Sequence, residues 1–210
     1  MNKTVCIFPE DFTTEFLRPL CDFICATFDA VEVGYDTSGD NDPLEIIYNK
    51  LKDAKTIFFL GHGKSTCLYA SITDNVELIN KNNISLLDGK RLFLLACDSN
   101  QFVEKYNLTN AIGFGFLPTS LDDARSNRNF HHIHKEILTS EDVSIYKKNL
   151  VNIFTNSLSK ETLKDLSLLK ERIFFNTCMR IVDCLTNREC PNYKIVADEL
   201  FYLNYDMLIN

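Results

Sequence analysis

The stretch Thr56-Ile-Phe-Phe-Leu-Gly-His-Gly63 decides the fold, because an uninterrupted apolar run ends abruptly in a histidine between two glycines. A strand that is apolar at almost every position, rather than at every second one, is typical of a parallel sheet covered on both faces. Four other short runs share this character, at residues 4–8, 30–34, 91–96 and 111–116. We therefore predict five strands in a mostly parallel sheet.

The segments between the first strands have helical spacing. Apolar residues recur every three to four positions over residues 13–28, and Asp42-Pro43 is a typical helix start for a helix that runs to about Asp53. This alternation of strands and helices implies right-handed crossovers. The predicted fold class is α/β, with a doubly wound, mostly parallel sheet of about five to six strands and helices on both faces.

The later part of the chain has a different pattern. Residues 142–158 and 160–185 form two long helical patterns, which predict a helical C-terminal part that packs on the sheet. Residues 193–203 fit either an edge strand or a terminal helix. No linker separates these segments from the strands, so residues 1–210 are predicted to be one domain.

Composition excludes several classes of protein. The net charge is −7 and the basic residues are scattered, which argues against a nucleic-acid partner. No apolar run approaches the roughly 18 residues that a membrane-spanning helix needs, so no membrane association is expected. Eight cysteines without a CxxC pair are typical of reduced intracellular thiols. We therefore expect a cytoplasmic protein.

Two polar turns follow neighbouring apolar runs. His62 follows the strand at residues 56–60, and Cys97 follows the strand at residues 91–96. Adjacent parallel strands end at the same edge of a sheet, so these side chains are expected to meet there. A neutral imidazole can take the proton of a thiol, and the thiolate is then the nucleophile. We predict Cys97 as nucleophile, His62 as general base, and the N–H groups of Gly63 and Cys97 as the oxyanion hole.

These motifs resemble those of the cysteine-peptidase clan that contains caspases, separases, clostripain and CHAT domains. The matching stretches are Phe58-Phe-Leu-Gly-His-Gly63 and Leu94-Leu-Ala-Cys-Asp-Ser99. The CHAT branch is the most similar, because residues 67–71 and 76–79 resemble two short strands that this branch inserts after its histidine. The resemblance implies a caspase-like fold and a regulated cysteine endopeptidase. It further implies a protein or peptide substrate, a regulatory partner or homodimer, and no metal or organic cofactor.

The resemblance also suggests candidate substrate-binding residues. Gly113 and Gly115 interrupt an apolar strand, and a substrate held in extended form beside that strand would explain them. Packing against a helix is the competing explanation. Asp122 and Asp123 are candidates for binding a basic side chain that precedes the scissile bond, and a capped, exposed turn is the alternative.

The loop after the nucleophile departs from the family pattern. Relatives often carry a glycine shortly after the cysteine, whereas Asp98-Ser99-Asn100 follows Cys97 here. Because asparagine tolerates left-handed backbone angles, Asn100 is expected to replace that glycine.

Other interpretations stay open. A catalytically silent, caspase-like interaction module is the main alternative, and a nucleotide-binding protein is disfavoured because GxGxxG and GxxxxGK motifs are absent after the first strand. The histidines at 131, 132 and 134 lack recognised metal-ligand spacing, so no metal site is predicted. The remaining cysteines are expected to be packing residues; these are Cys6, Cys21, Cys25, Cys67, Cys178, Cys184 and Cys190.

Overall fold

The structure is a computed structural model that describes residues 3–9, 11–38, 42–125 and 137–210. The chain divides into two compact units. The sheet unit comprises Met1–Gly115 with Leu208–Asn210, and the helical unit comprises Phe116–Met207. Each unit is described by itself, and the single domain predicted for residues 1–210 stays a prediction.

The sheet unit is built on a mostly parallel sheet, to which the described residues contribute six strands in the order β2-β1-β3-β7-β8-β9. The first five of these strands are mutually parallel, and β9 pairs antiparallel with β8. The strands are β1 (Thr4–Ile7), β2 (Ala30–Val33), β3 (Thr56–Leu60), β4 (Gly63–Lys64), β5 (Cys67–Ser71), β6 (Val76–Ile79), β7 (Arg91–Leu95), β8 (Ala111–Gly113) and β9 (Leu208–Ile209). The five predicted strands and the α/β class are thus confirmed.

Helices cover both faces of this sheet, as its apolar strands require. They are α1 (Arg18–Phe28), α2 (Pro43–Asp53) and α3 (Ser99–Lys105). One strand face packs with α2 and α3 in a single core that includes Ile57 and Phe59. The opposite face meets α1, where the rings of Phe28 and Phe58 lie 5.1 Å apart. The predicted cap of α2 is present, since Asp42 Oδ1 accepts the N–H of Leu44 at 2.9 Å.

A second sheet follows the His62 turn. Within the described chain it has three antiparallel strands in the order β4-β5-β6. Its strands β5 and β6 coincide with the two short strands predicted at residues 67–71 and 76–79.

The helical unit contains α4 (Leu121–Arg125), α5 (Ser140–Ser157), α6 (Leu166–Asn187) and α7 (Tyr193–Tyr205). The helix predicted at residues 160–185 begins later than expected, because Asp165 caps it by accepting the N–H groups of Ser167 and Leu168. Residues 193–203 are helical, and the edge strand β9 lies just beyond them. Of the helices described, none combines the length and the apolar character needed to cross a membrane.

Large apolar side chains lie on the surface of the helical unit. The apolar stripe on α6 comprises Phe174, Phe175, Met179, Val182 and Leu185, with exposed fractions between 43% and 57%. Phe201 and Tyr205 of α7 are also exposed. Phe175, Met179 and Val182 are spaced by four and three residues, so they lie on one side of α6.

Candidate active site

The two predicted catalytic loops begin at the same level of the sheet. Leu60 at the end of β3 pairs in register with Leu95 at the end of β7, and His62 and Cys97 each lie two residues beyond that pair. The Gly61 N–H donates to the Leu95 carbonyl at 3.1 Å and ties the loops together. The sequence correctly placed both loops at the carboxyl edge of neighbouring parallel strands.

Gly63 permits a close approach between these loops. A Cβ at this position would lie 2.8 Å from the carbonyl oxygen of Cys97 and 3.0 Å from the Cβ of Ala96. Any other residue would therefore push the histidine loop away from the cysteine loop.

His62 is held by two side chains from the loop after β1. Its Nε2 lies 3.0 Å from Asp11 Oδ2 and 2.7 Å from Thr13 Oγ1. Both carboxylate and imidazole are mostly enclosed, with side-chain exposures of 20% and 17%. Because β1 and β3 are neighbours and the strand order reverses between them, this position is the topological switch point where α/β sheets usually bind ligands.

The hydrogen bonds define which nitrogen of His62 carries the proton. The Thr13 hydroxyl donates to Asp11 Oδ1 at 2.6 Å, so its oxygen accepts from His62. An ionised carboxylate also only accepts. The neutral imidazole is therefore protonated on Nε2, and its lone pair is on Nδ1.

Asp11 is well suited to hold this tautomer. Burial raises its pKa, but hydrogen bonds from Thr13 and the nearby His62 outweigh that effect and bring the pKa below its ordinary value. Its Oδ1 also accepts the backbone N–H groups of Thr13 at 2.8 Å and Thr14 at 3.1 Å, which fixes the carboxylate plane. Asp11 is thus an ionised, oriented partner for His62.

The sequence analysis missed Asp11 and Thr13. The signal that would have found them is the rule applied to His62 and Cys97, since the loop after β1 also lies at the carboxyl edge beside β3.

A polar cleft of about 230 Å³ opens beside Asp11 and is lined in part by Tyr35, Thr37 and Asp74.

The chain turns sharply after Cys97, from β7 into α3. The left-handed residue in this turn is Asp98, with φ 55° and ψ 19°. The expectation for Asn100 is therefore wrong, because Asn100 lies within α3. Aspartate is one of the few side chains that adopts this conformation at modest cost.

The buried side chain of Ser99 stabilises the same turn. It is fully buried, its hydroxyl donates to the Leu94 carbonyl at 2.6 Å, and the hydroxyl oxygen accepts the Phe114 N–H at 2.8 Å. The Asp98 N–H donates to the Gly115 carbonyl at 3.1 Å. Asp98 and Ser99 thus connect the Cys97 loop to residues 114 and 115, which follow β8.

The alternating hydrogen bonds between β4 and β5 of the three-stranded sheet fix the direction of the Gly63 N–H. The Tyr69 N–H donates to the His62 carbonyl at 3.0 Å, which makes His62 and Tyr69 a hydrogen-bonded pair. The next pair, Gly63 with Leu68, is then a non-hydrogen-bonded pair. The Gly63 N–H therefore points away from β5, and the oxyanion-hole role of the Gly63 and Cys97 N–H groups stays a prediction.

Gly113 has a packing role that the sequence left open. A Cβ there would lie 2.5 Å from the Ser99 carbonyl oxygen and 2.7 Å from the Asn100 nitrogen, so the glycine makes room for the start of α3. The far edge of β8 is already paired with β9 at Leu208. Packing against α3 therefore explains Gly113, and Gly115 contributes its carbonyl to Asp98. A substrate-binding role for either glycine stays a prediction.

The predicted acidic residues lie on α4 of the helical unit. Asp123 Oδ2 accepts the Thr119 hydroxyl at 2.9 Å. Burial lowers the pKa of Lys147, and the negative charge of Asp123 only partly opposes that effect. Asp122 is exposed. Their proposed role in substrate binding stays a prediction, and the histidines at 131, 132 and 134 lie outside the described residues.

In the sheet unit, the geometry brings the loops of His62 and Cys97 together and places the Asp11 carboxylate against the His62 imidazole. Comparison with known proteins finds no match: no family model, no curated protein and no solved structure matches the chain.

Proposed function

We propose that the protein is a cysteine endopeptidase that cleaves a protein or peptide substrate at Cys97. One observation carries the proposal: His62, held through Nε2 by Asp11, lies on a loop that is in register with the Cys97 loop and packed against it. The resemblance of both motifs to the caspase and CHAT clan supports the choice of peptide bonds as substrate.

In the proposed reaction, His62 Nδ1 takes the thiol proton of Cys97. The thiolate then attacks the substrate carbonyl carbon, and the carbonyl electrons move to the oxygen to form an oxyanion near the Gly63 N–H. As the intermediate collapses, the carbon–nitrogen bond breaks and the imidazolium returns its proton to the leaving amine. Water, activated by the same imidazole, hydrolyses the thioester and restores the thiol.

Asp11 is the positioning residue in this scheme. Its carboxylate holds the Nε2 proton, which keeps the Nδ1 lone pair available for the thiol. It also stabilises the imidazolium that forms during proton transfer. The proposal uses no metal or organic cofactor, and regulation by a partner, a homodimer or processing is carried over from the resemblance.

The test is mass-spectrometric mapping of peptidyl electrophile probes that carry either a basic or an acidic residue at the reactive end. We expect labelling confined to Cys97 and lost in His62→Ala. The Asp11→Asn variant should slow labelling by about 100-fold, because the amide no longer imposes the reactive tautomer. Cys178→Ser, which removes another partly exposed thiol, is the matched control and should leave the rate unchanged.

Cleavage of a protein substrate should be abolished by Cys97→Ala. If Cys97 and Cys178 react equally fast, and if His62→Ala changes neither rate, the thiol is not activated. That result would favour the silent interaction module over the peptidase.

A further inference from the structure

Three thiols meet beneath the first strand, away from the catalytic loops. Cys6 lies on β1, while Cys21 and Cys25 lie one turn apart on α1, which packs over that strand. The sulfurs of Cys6 and Cys21 are 3.6 Å apart, and all three sulfurs lie within 4.8 Å of one another. No other group of three or more histidine, cysteine or acidic side chains with this spacing occurs in the described part of the chain.

The thiols form no disulfide, and the same is true of the other five cysteines, all of which the structure describes. Cys6 and Cys21 have no exposed surface, whereas Cys25 is partly exposed and provides access from solvent. The sequence analysis interpreted all three as packing residues. Their convergence from two elements on one point goes beyond what packing requires.

The size of this triangle matches a metal ion held by three sulfurs. In an equilateral triangle, the distance from the centre to each corner is the edge length divided by √3. Edges between 3.6 and 4.8 Å therefore place the centre about 2.1 to 2.8 Å from each sulfur. Thiolate–metal bonds in proteins are about 2.3 Å long.

The chemistry of the three donors selects the ion. Thiolates are soft ligands that prefer Cu(I), zinc and iron–sulfur clusters among biological metals. Zinc almost always takes four ligands in closed sites. Among the described residues, no fourth histidine, cysteine or acidic ligand joins the three thiols. A soft ion that is satisfied by three sulfurs therefore fits better.

The electrostatics around the thiols favour a cation. Asp22 and Glu32 lie close enough to act on Cys25, and both pair with Arg18, at 3.8 and 2.7 Å. The entrance to the cluster thus carries two carboxylates against one guanidinium, which leaves a net negative charge.

We propose that Cys6, Cys21 and Cys25 form a three-thiolate site for a soft monovalent metal ion of the Cu(I) class. On binding, each sulfur–hydrogen bond that is replaced by a sulfur–metal bond releases one proton to solvent, and no electron is transferred. The site is independent of the peptidase proposal, because none of its residues belongs to the Cys97 and His62 loops.

The experiment measures retention of Cu(I) against a chromophoric Cu(I) chelator under anaerobic, reducing conditions. The parent protein is Cys97→Ala, which prevents the catalytic thiol from binding the probe. We expect one ion to be retained per chain. Cys25→Ser should weaken retention at least 10-fold, and Cys178→Ser, which removes a thiol on α6, should leave it unchanged.

Thermal unfolding supplies a second measurement that separates loss of the site from loss of the fold. An ion that binds the folded state raises the melting temperature, so Cu(I) should stabilise the parent but not Cys25→Ser or Cys21→Ala. Equal retention by the parent and by folded Cys25→Ser would overturn the proposal. Retention of Zn²⁺ but not of Cu(I) would overturn the three-sulfur assignment.

Discussion

The sheet unit and the helical unit place their large apolar side chains in different environments. In the sheet unit, strands from distant parts of the sequence bury Phe58, Phe59 and Phe93 completely. In the helical unit, Phe174 and Phe175 of α6 remain more than half exposed. The sheet unit therefore has little tolerance for added atoms, whereas much of the α6 surface should accept substitution. The candidate catalytic residues lie in the less tolerant unit.

The comparison predicts a large effect at Gly113 of the sheet unit. Gly113→Ala should destabilise the protein by about 3 kcal/mol, because the added methyl group would overlap backbone atoms of Ser99 and Asn100 that cannot rotate away. The shift in the urea unfolding midpoint measures this cost. The matched control is Gly34→Ala, whose Cβ would make an ordinary 3.6 Å contact and should change stability by less than about 1 kcal/mol. Equal stability of both variants would contradict the close approach of α3.

In the helical unit, we predict that stability depends on the charge of one buried carboxylate, Asp142. Asp142 accepts hydrogen bonds from Asn192 and Thr139, and although burial raises its pKa, these bonds lower it to about 2. A lowered folded-state pKa contributes stability above the unfolded pKa, so Asp142→Asn should cost about 2 kcal/mol at neutral pH.

This difference between wild type and Asp142→Asn should shrink as the pH falls from about 4 to about 2, because the wild-type carboxylate is protonated over that range. Urea titrations at several pH values measure it. Glu141→Gln, at an exposed position in the same helical turn, is the control and should change the unfolding free energy at neutral pH by less than about 0.5 kcal/mol. If the stability difference stays constant down to pH 2, the cost of the substitution comes from altered packing and hydrogen bonding and not from the charge of Asp142.

The smallest effect is expected on the exposed stripe of α6. Phe175→Ser should change the unfolding free energy by less than about 1 kcal/mol, because more than half of the ring is already in water. Binding of an apolar fluorescent dye should nevertheless fall, since the stripe loses one of its largest side chains. Phe93→Ala, at a fully buried ring of the sheet unit, should cost about 3 to 5 kcal/mol. Similar costs for the two variants would remove the distinction between the units.

The elements that the sequence predicted well are those whose signal is local. The strand ending at Leu60 and the helix opened by Asp42 and Pro43 have the predicted bounds, because apolar runs and helix caps act over a few residues. The meeting of the His62 and Cys97 loops was also predictable, since parallel neighbours end at one edge.

The features that the sequence did not reveal depend on which distant segments meet. Asp11 becomes the partner of His62 only through the position of the β1 loop beside β3. The role of Gly113 depends on the approach of α3 to its backbone. The left-handed turn falls on Asp98 rather than Asn100 because α3 starts directly after it. Strand β9 is two residues long, too short for a periodic pattern to appear.

The pairing of β8 with β9 also has a consequence for synthesis of the chain. The two strands are separated by residues 114–207, so the ribosome makes β8 long before its partner strand. At typical rates of synthesis this interval is on the order of 5 to 20 s. During that time β9 cannot protect the outer edge of β8, and unpaired strand edges are where nascent chains associate with one another. The newborn protein should therefore be most vulnerable to aggregation just before residues 208–209 are added.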